Sequence, residues 1–98
     1  MAPLRIEFEW DEHKAESNFR KHGVTFGAAT QVFLDPDRVE KPDRSVGYED
    51  RWKTLGLTRG AVLLLVVHTT QESGIEIVRI ISARYASKSE EREYYGNR

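Results

Sequence analysis

The chain has 98 residues, a formal net charge of −1 and no cysteine. This length suits one domain with a single hydrophobic core, so we expect one domain over residues 1–98. The absence of cysteine excludes disulfides, thiolate metal ligands and thiol nucleophiles, and it suits a reducing compartment. The longest apolar run, residues 61–67, is far shorter than a membrane span, and residues 1–5 lack a signal pattern. We therefore expect a cytoplasmic protein.

The charges are distributed unevenly along the chain. Residues 1–50 hold seven Lys/Arg and eleven Asp/Glu, a net charge of −4. Residues 51–98 hold eight Lys/Arg and five Asp/Glu, a net charge of +3. A basic second half can provide a local surface for phosphate groups, and an ordinary surface of mixed charge explains the same numbers. Both interpretations stay open at this point.

The first half of the chain predicts a short strand followed by two helices. Residues 5–10 alternate between apolar and polar side chains, as in a strand. Asp11 stands where a helix N-cap is expected and Gly23 where a helix ends, which predicts a helix over residues 11–22. Thr25 can cap a second helix, and the Asp35-Pro36-Asp37 segment ends it.

The second half predicts a sheet and a last helix. We expect strands over residues 38–41, 51–58, 61–69 and 75–84, and the short turns between the last three predict an antiparallel meander. Ser87 and Glu90 have the spacing of a capping box, which predicts a helix through about residue 95. The predicted fold is α+β: two N-terminal helices, an antiparallel β-sheet meander and a C-terminal helix, with the helices against the sheet.

The first turn of the meander predicts which side chains share a face. A two-residue turn at Arg59-Gly60 sets Arg51 against His68 on the next strand. Directly paired residues lie on the same face of a sheet. We therefore expect Arg51, Lys53 and His68 together on one face.

The second turn separates two arginines of the last strand. Carried through in the same way, the register adds Arg84 to the face of Arg51 and places Arg79 on the opposite face. A slip of one residue reverses this choice, so both arginines are candidates, with Arg84 first. The other residues of the last strand expected on the face of Arg84 are Glu76, Val78 and Ile80.

An ordered set of short motifs spans nearly the whole chain. The motifs are Phe8-Glu9-Trp10-Asp11, Lys14-Ala15, Asn18, Lys21-His22-Gly23-Val24, Phe26, Ala29, Val32-Phe33, Asp35-Pro36, Tyr48-Glu49-Asp50-Arg51-Trp52, Leu55-Gly56, Val67-His68-Thr69, Ile80-Ile81-Ser82-Ala83-Arg84 and Glu90 through Tyr95. Each motif is weak alone, but the ordered set is specific. It resembles the BrnT-type toxins of bacterial type II toxin–antitoxin pairs.

The resemblance implies a compact fold related to RelE-type toxins. It implies ribonuclease activity without a metal or other cofactor, and inhibition of translation. The implied partners are RNA and a ribbon-helix-helix antitoxin of the BrnA type. The resemblance implies that the antitoxin binds operator DNA and that the toxin contacts this DNA only through the antitoxin. The family often has a second basic residue after the Ser82-Ala83-Arg84 motif, where this chain has Tyr85.

Metal-independent RNA cleavage requires three kinds of group. A base takes the proton of the 2′-hydroxyl, an acid protonates the leaving oxygen, and cations hold the charge that develops on the phosphate. Arginine suits the phosphate, whereas histidine or a perturbed Glu or Lys suits the proton transfers. The candidate catalytic residues are Arg84, His68, Arg51, Lys53, Glu49, His22 and Lys21.

The candidate RNA contacts beyond the catalytic group are Arg79, Trp52 and Tyr48. The two aromatic side chains can stack on unpaired bases. Trp52 also suits the hydrophobic core, which is the commoner place for a tryptophan. No metal site is expected, because the three histidines are far apart in sequence.

Several candidates have an ordinary structural explanation. His68 can be a hydrogen-bonded residue of the sheet, and Glu49 can pair with Arg51. Lys21 and His22 can simply complement the dipole at the end of the first helix. These alternatives are left open by the sequence.

Two functions are consistent with these patterns. The first is a ribonuclease toxin whose antitoxin covers the cationic side chains. The second is a non-catalytic protein-binding domain that acts only through its partner protein. Cleavage of RNA by the purified chain separates them.

Overall fold

The computed structural model describes residues 5–44 and 50–96. Its elements, in chain order, are β1 (Ile6–Glu9), α1 (Glu12–His22), α2 (Phe26–Ala29), a 3₁₀ helix (Thr30–Leu34), β2 (Val39–Pro42), β3 (Arg51–Leu57), β4 (Leu63–Glu72), β5 (Glu76–Tyr85) and α3 (Lys88–Gly96). The predicted α+β class is confirmed.

The predicted helix ends are confirmed by their hydrogen bonds. The carboxylate of Asp11 accepts from the backbone N–H of Lys14 at 3.1 Å, which caps α1. Gly23 ends α1 at φ 73°, a left-handed conformation that glycine adopts without a steric penalty. The hydroxyl of Thr25 accepts from the N–H of Ala28 at 3.0 Å and caps α2.

The five strands form one sheet in the order β1-β5-β4-β3-β2. The strands β3 to β5 form the predicted antiparallel meander, and β2 pairs antiparallel with β3 at one edge of it. β1 was not placed by the sequence; it lies at the far edge and pairs with β5 in parallel, so the expectation of an antiparallel sheet is wrong for this edge. The helices between β1 and β2 carry the chain from one edge of the sheet to the other, which a local pattern does not encode.

The turn between β3 and β4 has three residues, not two. The N–H of Thr58 donates to the carbonyl of Val62 at 2.9 Å, and Ala61 adopts a left-handed φ of 63°. The register therefore shifts by one residue, and the predicted pairing of Arg51 with His68 is wrong. His68 pairs with Trp52 instead. Such a shift moves side chains to the opposite face of the sheet.

A bulge in β5 makes the prediction that Arg79 and Arg84 lie on opposite faces wrong. Val67 pairs with Ser82 and His68 with Ile80, which leaves Ile81 as an extra residue. In a regular strand, residues 79 and 84 would lie on opposite faces. The extra residue puts Arg79 and Arg84 on the same face.

The two faces of the sheet carry separate apolar clusters. The larger cluster packs against α1, α2 and the 3₁₀ helix, and it includes Val78 and Ile80, which were expected on the face of Arg51. The smaller cluster joins Leu55, Leu63 and Leu65 to Tyr94 of α3. The hydroxyl of Tyr94 donates to the carboxylate of Asp35, which fixes α3 to the body of the domain.

Candidate functional site

Basic side chains collect on the face of the sheet that α3 covers. This face is identified by Leu55 and Leu65, which pack against Tyr94. The register places five basic residues on it, and we call this set the cationic face: Lys41, Arg51, Lys53, Arg79 and Arg84. The predicted grouping of Arg51, Lys53 and Arg84 agrees with the register, and Arg79 joins them.

The cationic residues lie in neighbouring rows across the strands. Arg51 and Arg79 both pair with Thr69 of the strand between them. Adjacent strands are about 4.8 Å apart, so the two arginine Cα atoms are separated by about 10 Å. Lys53 and Lys41 pair directly in the next row. Side chains as long as these can converge on one phosphate group across that spacing.

Arg84 makes a bidentate ion pair with Glu90 of α3. Its Nη1 and Nη2 atoms donate to the Oε1 and Oε2 atoms of Glu90 at 2.9 and 3.0 Å, a bidentate arrangement. The hydrogen bonds from Arg84 lower the pKa of Glu90 below its ordinary value. Glu90 also accepts from the N–H of Ser87 at 2.8 Å, and the hydroxyl of Ser87 accepts from the N–H of Glu90, which confirms the predicted capping box.

The other basic side chains differ in their partners. Arg79 pairs with Glu9 at 3.1 Å, and Lys41 pairs with Glu93 of α3 at 2.7 Å. Lys53 makes no ion pair with any residue in the ranges 5–44 and 50–96. Among the described basic residues of this face, Lys53 is therefore the one that requires no exchange of partners to bind an anion.

His68 lies on the opposite face, so the expectation that it accompanies Arg51 and Lys53 is wrong. It is 3% exposed, and its ring packs edge-on against Phe33 with the centroids 4.9 Å apart. Its Nε2 atom is 2.7 Å from the hydroxyl oxygen of Thr54. Burial lowers the pKa of His68 below its ordinary value. These contacts are those of a hydrogen-bonded residue of the sheet, which was one of the two interpretations of the sequence.

Trp52 shares the face of His68 and is 36% exposed, so it is neither fully in the core nor on the cationic face. It lines a cavity of about 400 Å³ with the carboxylates of Glu40, Glu72 and Glu76. Burial and the neighbouring carboxylates raise the pKa of Glu76. This cavity repels phosphate groups by its charge, which argues against stacking of an RNA base on Trp52 there.

Lys21 and His22 lie at the end of α1, beside the bulge of β5. They line a cavity of about 170 Å³, which we call the α1–β5 pocket, together with Lys14, Ser17 and Ser82. Sequence reasoning missed these last three residues as site candidates. The spacing of Lys14, Ser17 and Lys21 was a signal, because residues three, four and seven apart lie on one face of a helix.

Two candidates fall outside the described residues. These are Tyr48 and Glu49, which precede β3 in the sequence. Within residues 5–44 and 50–96, no three His, Cys, Asp or Glu side chains are grouped so that they could hold a metal ion. None of the helices described is long and apolar enough to cross a membrane.

The fold has a counterpart among solved structures. The 1.1 Å crystal structure of the Brucella abortus ribonuclease toxin BrnT matches with a TM-score of 0.64 and 26% sequence identity. The match covers 88% of this chain and 100% of that chain. Comparison with curated protein sequences finds no significant match.

A family model described as the ribonuclease toxin, BrnT, of type II toxin–antitoxin systems matches residues 10–90. The chain is therefore the toxin component of a toxin–antitoxin pair, and an antitoxin is its implied partner. In particular, it belongs to the BrnT family of ribonuclease toxins, as the ordered motifs of the sequence predicted.

Proposed function

We propose that this chain is an endoribonuclease that cleaves RNA without a metal ion, stops translation by doing so and binds RNA on the cationic face. The observation that carries the proposal is that Arg51, Lys53 and Arg79 lie in neighbouring rows of one face. Concentrated positive charge of this kind attracts the RNA backbone and stabilises a phosphate that gains charge in the transition state. We also propose that the fold is related to that of RelE-type toxins.

The reaction proceeds by attack of a 2′-oxygen on the adjacent phosphorus. A base removes the 2′-proton, the P–O5′ bond breaks, and an acid protonates the 5′-oxygen, which leaves a cyclic phosphate and a 5′-hydroxyl. Arg51 and Arg79 hold the non-bridging oxygens in this proposal. Glu49 and His22 remain the candidates for proton transfer, and the burial of His68 on the opposite face argues against that residue.

Arg84 has two roles in this proposal: it holds α3 against the sheet, and it binds RNA. Its bidentate pair with Glu90 holds the start of α3 against the sheet. A phosphate group offers the guanidinium the same two-oxygen geometry as a carboxylate. Arg84 therefore binds RNA by exchanging or sharing the contact with Glu90, and it remains a candidate phosphate ligand.

The antitoxin, in this proposal, is a ribbon-helix-helix protein that covers the cationic face in the cytoplasm and alone contacts operator DNA. Acidic side chains of the partner would replace RNA phosphates on Arg51, Lys53 and Arg84. Changing all three to Glu is then expected to abolish antitoxin binding in a pull-down of the co-expressed pair. Retained binding would place the antitoxin on another surface.

The deciding experiment is cleavage of a defined RNA by the purified chain in EDTA. Lys53→Ala is compared with Arg59→Ala, which removes one positive charge from the exposed β3–β4 turn. We expect the parent and Arg59→Ala to cleave, and Lys53→Ala to be slower by about 100-fold, the usual cost of removing one transition-state contact. If the parent cuts neither free RNA nor RNA on translating ribosomes, the chain is a non-catalytic protein-binding domain instead.

A further inference from the structure

The α1–β5 pocket lies at the end of a row that also carries Lys53. Ser82 of the pocket pairs with Val67, and Val67 pairs with Lys53 on the next strand. Two strand spacings, about 10 Å, therefore separate the Cα atoms of Ser82 and Lys53. The pocket and the cationic face are thus neighbouring parts of one surface.

The pocket exists because β5 is irregular and has an open edge at this point. β1 pairs with β5 only as far as Arg79. Beyond that residue, the bulged Ile81 and its neighbour Ser82 line the pocket at the open edge of β5. Bulges are frequent at sheet edges and beside active sites. The side chain of Asn18 bonds to the backbone of Ala83 and holds α1 at this distance from the strand.

The lining of the pocket has the chemistry of an anion site. Lys14 and Lys21 supply ammonium groups, His22 an imidazole, and Ser17 and Ser82 hydroxyl groups, and no carboxylate lines the pocket. Within the two described ranges of the chain, none of the three basic residues makes an ion pair. This differs from the sheet, where Lys41, Arg79 and Arg84 are all paired.

The helix dipole does not account for this arrangement. Lys21 and His22 occupy the last turn of α1, where positive charge is favourable. Lys14 occupies the first turn, where a positive charge is unfavourable. Lys14 lies on the same side of the helix as Lys21, so a negatively charged ligand in the pocket can contact both ammonium groups.

We propose that the α1–β5 pocket binds a phosphate group of the RNA strand, next to the phosphate that is cleaved on the cationic face. This inference rests on the proposed ribonuclease function and extends it to the path of the substrate. The RNA strand crosses the row of Lys53 and Ser82 and enters the pocket between Lys14 and Lys21. The pocket binds the backbone and does not read the base, so it fixes the register of the strand without selecting a sequence.

The test is the binding of a short single-stranded RNA with a 2′-O-methyl group at every position, which has no nucleophile and stays intact. Affinity is measured by fluorescence anisotropy at several salt concentrations. The variant combines Lys14→Gln with Lys21→Gln. The control combines Arg20→Gln with Arg59→Gln, which removes two charges from other surfaces, since Arg20 lines a separate cavity on the opposite side of α1. Thermal unfolding confirms that both variants are folded.

We expect the pocket variant to bind about five- to tenfold more weakly than the control, as one lost charge-assisted contact predicts. The slope of log affinity against log salt should fall by about 0.7, the value for one phosphate of a single strand. Equal affinities of the two variants, or no binding by the parent, would overturn the pocket proposal. Pocket-dependent binding without any cleavage by the parent would instead refute the ribonuclease proposal and leave the pocket as an RNA contact.

Discussion

The side-chain amide of Asn18 pairs with the backbone of Ala83 as a neighbouring strand would. Its Nδ2 atom donates to the carbonyl of Ala83 at 2.8 Å, and its Oδ1 atom accepts from the N–H of Ala83 at 3.1 Å. The same Nδ2 atom donates to the carbonyl of Val24 at 3.0 Å. Asn18 is 7% exposed and therefore completes the edge of β5 that β1 leaves open.

We expect Asn18→Ala to lower the free energy of unfolding by about 3 kcal/mol, because it leaves buried backbone groups of Ala83 and Val24 without partners. Chemical denaturation measures the change. Glu16→Ala, on the exposed part of the same helix, is the matched control and should change stability by less than about 0.5 kcal/mol. A loss no greater than that of the control would show that water replaces the amide.

The hydrogen bond between His68 and Thr54 leads to a prediction about stability. His68→Leu leaves the buried hydroxyl of Thr54 without this partner and should cost about 2 kcal/mol. Adding Thr54→Val removes the second polar group as well, so the double variant should be more stable than the sum of the two single changes predicts. Additive losses in a double-mutant cycle would contradict this.

The same His68→Leu variant separates a structural from a catalytic histidine. Because His68 lies on the face opposite Lys53, RNA cleavage at a temperature where the variant is folded should stay within about threefold of the parent, well short of the usual effect of losing an acid or base. Cleavage is measured on one defined RNA, with circular dichroism to confirm folding. A loss of 100-fold in a folded variant would return His68 to the site.

The ion pair of Arg84 and Glu90 predicts different effects for its two members. Arg84→Ala should abolish toxicity on expression, because it removes a proposed phosphate ligand. Glu90→Gln keeps the capping-box interaction and removes only the competing charge, so it should retain cleavage or increase it. Equal loss of activity in both variants, with equal loss of stability, would mean that Arg84 acts only by holding α3.

Glu90 also predicts how stability depends on pH. Its pKa is lowered in the folded protein, chiefly by the hydrogen bonds from Arg84. The resulting stabilisation is fully present above the ordinary pKa of a glutamate and is lost as the pH falls through the lowered value. The parent should therefore be more stable than Glu90→Gln at neutral pH, and this difference should shrink in acid. Denaturation curves at several pH values test it, and a difference that does not vary with pH would contradict it.

Local features of the fold were predicted because their causes are local. Asp11 and Thr25 cap helices through side chains that bond to backbone two or three residues away. Gly23 ends a helix because it tolerates a positive φ. The family, too, was predicted from the order of short motifs, which requires no knowledge of packing.

The site was predicted less completely, because membership of a face depends on counting residues through turns and bulges. The turn between β3 and β4 contains the left-handed Ala61 in addition to Arg59 and Gly60, so it is one residue longer than predicted. Because of this extra residue, Arg51 pairs with Thr69 and not with His68. The predicted grouping of Arg51, Lys53 and Arg84 on one face agrees with the register, but His68 was wrongly added to this face and Arg79 was wrongly placed on the other.

The sequence by itself determined the secondary structure, the helix caps, the basic character of residues 51–98 and the family. The tertiary structure decided that Arg79 joins Arg84 on one face, that His68 is buried on the other, and that Lys14 meets Ser82 across a pocket. The physical reason is that a cap depends on bonds within one turn of chain, whereas a shared face depends on the register of several strands. One extra residue at Ile81 changes that register without changing any local preference.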